Sequence, residues 1–206
     1  MKSKVYAWFK KYFGKIVGWL FRVHVHGAEN EPALEEGTYI VASNHISNAD
    51  PVFLCVGLDR QQPHFMAKKE LFKVPIVNKI VAAFGAYPVD RGGADVGAIK
   101  KTIKMLSEGK SIGLFPQGHR QMGVDPRDTE VKNGIAMIAV RAKATVLPCF
   151  IKTPKRKWSA FCRVDVYIGK PIRFEELNYD PDKTGEYTRI SSYIFDRICT
   201  IGEENQ

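Results

Sequence analysis

Cysteine is scarce in this chain of 206 residues, and Cys55, Cys149, Cys162 and Cys199 stand far apart. No CxxC pair occurs, and the spacing fits neither a disulfide framework nor a zinc site. The thiols therefore read as reduced cysteines in a cytosolic setting. Acidic residues are also in deficit, with 22 Asp and Glu against 31 Lys and Arg and a formal charge of +9. That balance favours an anionic partner: a phosphorylated substrate, an acidic membrane or a nucleic acid. A merely soluble basic surface is the plain alternative. No apolar run is long enough to cross a bilayer, because lysines interrupt the one near the N-terminus. That run also lacks the small-residue cleavage site of a secretory signal. Internal repeats, low-complexity stretches, HExxH and metal-binding clusters are all missing. The remaining composition is that of one ordinary globular domain.

The first 22 residues carry a pattern of their own. Residues 4–22 read KVYAWFKKYFGKIVGWLFR. At about 100° per residue, Lys4, Lys11, Lys15 and Arg22 fall within roughly 40° of one another. Trp8, Phe9, Tyr12, Phe13, Ile16, Trp19 and Leu20 supply the apolar side. A basic, tryptophan-bearing amphipathic helix over residues 1–22 fits an element lying in the membrane interface. The alternative is a helix packed on its own domain. Residues 23–206 are expected to form the domain proper.

Beyond the helix, strand and helix signals alternate. GTYIVA (37–42), HFMA around Phe65, residues 86–89, 111–115 and 145–151 are short apolar runs bounded by turn residues, and predict strands. FCRVDVYI (161–168) alternates as an exposed-face or edge strand does. Helices are predicted over 51–58, with Asp50 as N-cap and Pro51 at the first helical position. Further helices are expected over 69–84 with a bend near Pro75, over 94–108 closed by Gly109, over 132–143 and from about Gly185. This order predicts an α/β fold with a largely parallel central sheet flanked by helices.

Ligands of such sheets gather beyond the carboxyl ends of the strands. There the chain places SNHISNADP, MAKKEL, VDRGG and FPQGHR, and with them His45, Asp50, Lys68, Arg91, His119 and Arg120. One base candidate among several cations suits a phosphorylated ligand. With five histidines and ten aspartates in the chain, a His-x4-Asp pair arises readily by chance, so context has to decide. Five positions on a helix are about 140° apart, so His45 and Asp50 meet only if a loop folds back at a helix start. Asp50 would then hold the Nδ1 proton of His45 and stabilise the imidazolium, with Asn44 and Ser47 ordering the loop. Capping the following helix is the plain role for Asp50. The basic loop KTPKRK (152–157) is either a solvated face or a second headgroup contact.

No nucleophile competes. GKSIG (109–113) matches G-x-S-x-G, but Ser111 opens a strand after a helix, whereas a nucleophile elbow joins a strand to the following helix. EGKS resembles the end of a P-loop, but Lys104 stands where the first glycine is required and no helix follows. Direct transfer remains: His45 deprotonates a substrate hydroxyl, which attacks an activated acyl group brought by a carrier.

At this point the chain resembles the glycerophospholipid acyltransferases, in particular the 1-acyl-sn-glycerol-3-phosphate acyltransferases of bacterial size. NHISNAD matches their NHxxxxD block, FMAKKELFKVPIVNKIVAAFGAYPVDRG their lysine-bearing block and VDR, and FPQGHR stands where FPEGTR is usual. VKNGIAMIAVRAKATVLPCF matches the KxG helix and the strand with its central proline. The resemblance covers about residues 37–170. It implies that His45 is the base and Asp50 its partner, that Lys68, Arg91 and Arg120 lie at the acceptor phosphate, and that Gly118 permits close backbone approach. It implies lysophosphatidic acid as acceptor, acyl-CoA or acyl carrier protein as donor, no cofactor, and a peripheral or monotopic place on the cytoplasmic face of the membrane. The N-terminal helix matches the family's interfacial anchor.

Two positions depart from the pattern. Gln117 replaces glutamate and His119 replaces threonine. Gln keeps an acceptor and adds donors but loses a charge, and His119 is either a third phosphate contact or an exposed loop residue. The departures leave open another lysolipid or a glycerol phosphate as acceptor. Two non-enzymatic readings stand beside these, a basic nucleic-acid-binding protein and an inactive membrane-bound relative. The intact His45 and Asp50 speak against the second. The chain has no nucleic-acid motif, and its cations sit in an aromatic helix and separate loops, which speaks against the first.

Overall fold

The computed structural model describes residues 4–75, 78, 81–82, 85–89, 96–157, 159 and 161–205. Among these, seven strands form one sheet: β1 Val23–His26, β2 Tyr39–Ser43, β3 His64–Lys68, β4 Tyr87–Val89, β5 Ile112–Leu114, β6 Thr145–Lys152 and β7 Val164–Ile168. Their spatial order is β1-β7-β6-β2-β5-β3-β4. Every pairing is parallel except β6 with β7. The expected α/β fold with a largely parallel sheet is therefore present.

The sheet is covered on both faces, which is why its central strands read as unbroken apolar runs. All five residues of β2 are buried. Successive side chains alternate between the faces. Ile40 and Ala42 join one core with Ile112, Leu114 and Val146. Helices α4 Val96–Ser107, α5 Gly134–Ala142 and α6 Glu186–Glu204 cover that face through Leu106, Ile138, Ile190, Ile194 and Ile198. Tyr39 and Val41 join the other core with Phe65, Leu147, Cys149, Ile151 and Val166. Helix α3, Asp50–Gly57, covers that side through Phe53 and Leu54.

The N-terminal segment is helical through α1 Lys4–Phe9, a π-helical turn Lys10–Gly14 and α2 Lys15–Leu20. One face packs on α3. Tyr6 is fully buried and donates to the Cys55 carbonyl at 3.4 Å. Lys10 pairs with Asp59 at 2.7 Å and donates to the Leu58 carbonyl. Phe21 stands edge-on to Phe53 at 5.8 Å. Another face is bare: Trp8, Tyr12, Ile16 and Trp19 are all more than half exposed. The packed face fits the reading of a helix docked on its own domain. Among the described residues, no helix is long and apolar enough to cross a membrane.

Two expectations need correction here, and one strand was not expected at all. FCRVDVYI is no edge strand, since β7 lies between β1 and β6. Its polar position, Asp165, is buried yet satisfied by Arg163 at 2.8 Å and His26 at 3.0 Å, so alternation here reflects a partner rather than solvent. β1 (VHVH), at one edge of the sheet, carries no separate strand signal in the sequence, because the helical pattern runs directly into it. The helix expected over 69–84 opens instead as a 3-10 turn, Lys69–Lys73, and Val74 is extended before Pro75, as the residue preceding proline prefers. Its described helical residues are 75, 78, 81 and 82.

Candidate active site

Because β2, β5, β3 and β4 run parallel and lie side by side, their carboxyl ends share one edge. The loops after β2 and β5 are adjacent there and hold each other. The His45 backbone N–H donates to Gln117 Oε1 at 2.7 Å, and Gln121 N–H donates to the His45 carbonyl at 2.7 Å. Asn44 fixes the first loop to β6, donating to the Ile151 carbonyl at 2.9 Å and accepting from Ile151 N–H at 2.8 Å.

The loop does fold back. His45 Nδ1 donates to Asp50 Oδ2 at 2.7 Å. The same oxygen accepts from Ile46 N–H at 2.7 Å and Ser47 N–H at 2.8 Å, and Oδ1 accepts from the Ser47 hydroxyl at 2.9 Å. Asp50 is fully buried and His45 is 7% exposed. Asp50 does not cap α3 as expected. Ala49 holds that position and its carbonyl accepts from Val52 and Phe53 N–H, while the Asp50 carboxylate turns back toward the donors of the loop. With Nδ1 occupied by a carboxylate, the Nε2 lone pair is left to accept a proton.

Phe115 stacks on the imidazole with ring centroids 4.0 Å apart and planes 13° from parallel. Phe65 stands behind it at 5.7 Å. A Cβ at Gly113 would lie 2.0 Å from the Phe65 ring, so glycine in β5 makes this stack possible. The stack fixes the ring plane while the carboxylate fixes its rotation. Neither Phe115 nor the Gly113 gap carries a signal readable from the sequence.

Gly118 closes the turn after β5 at φ 75°, donating to the Phe115 carbonyl at 2.9 Å. His119 is exposed and accepts from Gln121 Nε2 at 2.8 Å. Arg120 and Lys68 are exposed and form no ion pair with any described residue. Lys68 ends β3, so both cations stand at the edge that carries His45. Arg91 lies outside the described residues. The buried thiols offer no nucleophile: burial pushes Cys55 up to about 12 and Cys199 up to about 11.

Gln117 is 1% exposed and does not reach toward a ligand. Its Nε2 donates to the Thr129 hydroxyl at 2.8 Å, and that hydroxyl gives its own proton to the Pro126 carbonyl at 2.7 Å. The amide therefore supplies both an acceptor for His45 and a donor for Thr129, which a carboxylate cannot do. Gln117→Glu is expected to destabilise the protein by about 1–3 kcal/mol near pH 8. The loss should shrink near pH 5, because a protonated carboxyl restores the missing donor. Urea unfolding at the two pH values checks this, and an equal loss at both would exclude the Thr129 contact as its cause.

The chain is similar to known proteins over most of its length. Residues 22–152 match the acyltransferase family. The chain is 32% identical over 163 residues to the 1-acyl-sn-glycerol-3-phosphate acyltransferase of Bacillus subtilis (strain 168), covering 78% of this chain and 79% of that protein. It is 32% identical over 157 residues to the enzyme of that name from Streptococcus pneumoniae, covering 75% of this chain and 57% of that protein. The crystal structure of the 1-acyl-sn-glycerophosphate acyltransferase PlsC from Thermotoga maritima superposes with a TM-score of 0.73 at 27% identity, over 97% of this chain and 79% of that one. The matched span contains the whole His45–Asp50 loop, the turn after β5 and the cations beside them, and the chain belongs to the acyltransferase family.

Proposed function

We propose that this protein transfers a fatty acyl group from a thioester, acyl-CoA or acyl carrier protein, to the free hydroxyl of 1-acyl-sn-glycerol 3-phosphate, giving phosphatidic acid. The observation that carries the reading is the buried His45–Asp50 pair at 2.7 Å, on the edge shared with Lys68 and Arg120. Nε2 of His45 takes the hydroxyl proton as the oxygen attacks the thioester carbonyl. Asp50 stabilises the imidazolium so formed. Collapse of the tetrahedral intermediate breaks the carbon–sulfur bond, and the imidazolium returns its proton to the departing thiolate. Lys68, Arg91 and Arg120 receive the acceptor phosphate, with the Gly118 turn beside them. The names and extent of the relatives support this acceptor. The bare face of the N-terminal helix supports a peripheral place on the membrane, with Trp8, Tyr12, Ile16 and Trp19 toward lipid.

The direct experiment incubates purified protein with a panel of lysolipid and glycerol phosphate acceptors and both donors, and identifies products by mass spectrometry. Phosphatidic acid from the 1-acyl acceptor is expected. Arg120→Lys sharpens the phosphate assignment, because a planar fork and a point charge engage phosphate oxygens differently. The acceptor KM should rise about tenfold with little change in the donor KM. An equal loss on a phosphate-free analogue would make Arg120 structural.

A further inference from the structure

We propose that a second surface, built from the Met122–Val124 turn and Phe161 at the catalytic edge, seats on an anionic phospholipid bilayer, so that a lysolipid reaches His45 from the membrane itself. The proposal rests on the acyl-transfer reading above. Met122 is 60% exposed and Phe161 66%, on loops separate from the N-terminal helix. Phe161 also adopts φ 64°, a left-handed conformation that bulky aromatic residues rarely enter, and it holds an apolar ring out from the fold.

Topology puts these residues beside the site. β7 runs antiparallel to β6 with Asp165 opposite Lys152, so β7 begins at the edge where β6 ends. That is also the edge where β2 ends and the His45 loop begins, since β2 and β6 are parallel. β1 and β7 are parallel with Val23 opposite Val164, which sets residues 161–163 next to residues 20–22 at the end of α2. Trp19, 80% exposed, lies one turn before that point. On the other side, Gln121 N–H bonds to the His45 carbonyl, and Gly123 N–H donates to the Arg156 carbonyl at 2.8 Å. Met122 thus sits between a bond to the catalytic loop and a bond to the basic loop KTPKRK.

Charge completes the pattern. Arg22, Arg120 and Lys157 are exposed along this edge and form no ion pair with any described residue, whereas Arg156 and Arg163 are held by Asp125 and Asp165. Free cations interleaved with single exposed apolar side chains suit a headgroup layer over an acyl boundary. An acidic carrier protein would use the cations. It has less need of Met122, Phe161 and a continuation into the apolar face of the N-terminal helix. The bilayer uses all of these, so it is the occupant argued here.

The test is the double variant Met122→Ser/Phe161→Ser, with the N-terminal helix intact. Acyl-CoA is the donor, and the acceptor is either long-chain lysophosphatidic acid in phosphatidylcholine–phosphatidylglycerol vesicles or a short-chain, monomeric analogue in solution. Turnover on the vesicle acceptor should fall about tenfold and sedimentation with the vesicles should weaken, because two apolar anchors are lost. Turnover on the soluble acceptor should stay within about twofold, since neither residue touches the pair that does the chemistry. An unchanged vesicle rate, or an equal loss on both acceptors, would overturn the proposal. A loss seen only when acyl carrier protein delivers the acyl group to the soluble acceptor would give the surface to that protein instead. If the unaltered protein acylates neither acceptor, the enzymatic reading fails, and sedimentation alone still decides whether the loops bind lipid.

Discussion

His45→Ala is expected to lower kcat about a thousandfold or more, while costing about 1–3 kcal/mol of stability for the lost ring and its bond to Asp50. Among the described residues, the imidazole is the base that the carboxyl edge of the sheet presents for the hydroxyl proton, and its removal frees Asp50 of a single bond out of four. The loop keeps its other ties, through the His45 backbone to Gln117 and Gln121 and through Asn44 to Ile151. Ser111→Ala is the matching control. Its hydroxyl donates to Gln61 Oε1 at 2.5 Å and accepts from Tyr39 N–H at 3.1 Å, just before β5 and therefore at the far end of that strand from the site. Its loss should cost about 1–3 kcal/mol of stability and leave kcat intact. Steady-state rates and urea unfolding of both variants separate chemistry from folding. A covalent acyl group trapped on Ser111, or near-normal turnover without His45, would exclude direct transfer.

The contrast between these two residues shows what the sequence could carry. Ser111 and His45 both sit in suggestive motifs, GKSIG and NHISNAD. Strand order decides between them: one precedes a strand's amino end and the other follows a strand's carboxyl end. That much is readable from apolar runs and turn residues, and the sheet bears it out. The pairing of His45 with Asp50 was legible for the same reason. What lay beyond reading depends on contacts between distant segments. Gln117 looks like a lost charge at a phosphate site, yet its partner Thr129 is reached only through the turn at Pro126. Phe115 is one apolar residue among many until Gly113 and Phe65 set its ring on the imidazole. Asp165 imitates a solvent-facing position because His26, from a strand that the helical pattern hides, supplies part of its solvation.

The same geometry implies that a truncation of residues 1–22 is a poor test of membrane anchoring. Tyr6 is wholly buried and Phe21 packs on Phe53, so their removal strips the outer face of α3. Burial of side chains of this size is worth about 1.5–3 kcal/mol each. The loss of stability would then hide any loss of lipid affinity. Substituting Trp8 and Trp19, which are exposed, leaves that packing in place.

Asp50→Asn should fold and yet turn over about a hundredfold or more slowly, and Asp50→Ala should fail to fold stably. The difference lies in which bonds each replacement keeps. An asparagine with its carbonyl in the Oδ2 position still accepts from His45 Nδ1, Ile46 N–H and Ser47 N–H. Its amide nitrogen then faces the Ser47 hydroxyl, which now donates to Oδ1 and accepts from Ala49 N–H at 3.0 Å. That hydroxyl has a second lone pair, so it can accept from the amide once its proton turns elsewhere. Tautomer and loop survive, and the cost should stay near about 1 kcal/mol. What goes is the negative charge 2.7 Å from the ring, at a fully buried position where bulk solvent cannot screen its loss. The imidazolium formed during proton transfer loses its counter-ion, so the loss falls on kcat and leaves the acceptor KM nearly unchanged. Alanine instead removes the acceptor of four buried donors at once, which costs about 3–5 kcal/mol, a large share of the stability of a domain this size. Urea midpoints and kcat for the two variants check the split. If the asparagine variant turned over at the normal rate, the carboxylate would serve only to hold the loop, and His45 would have to work without it.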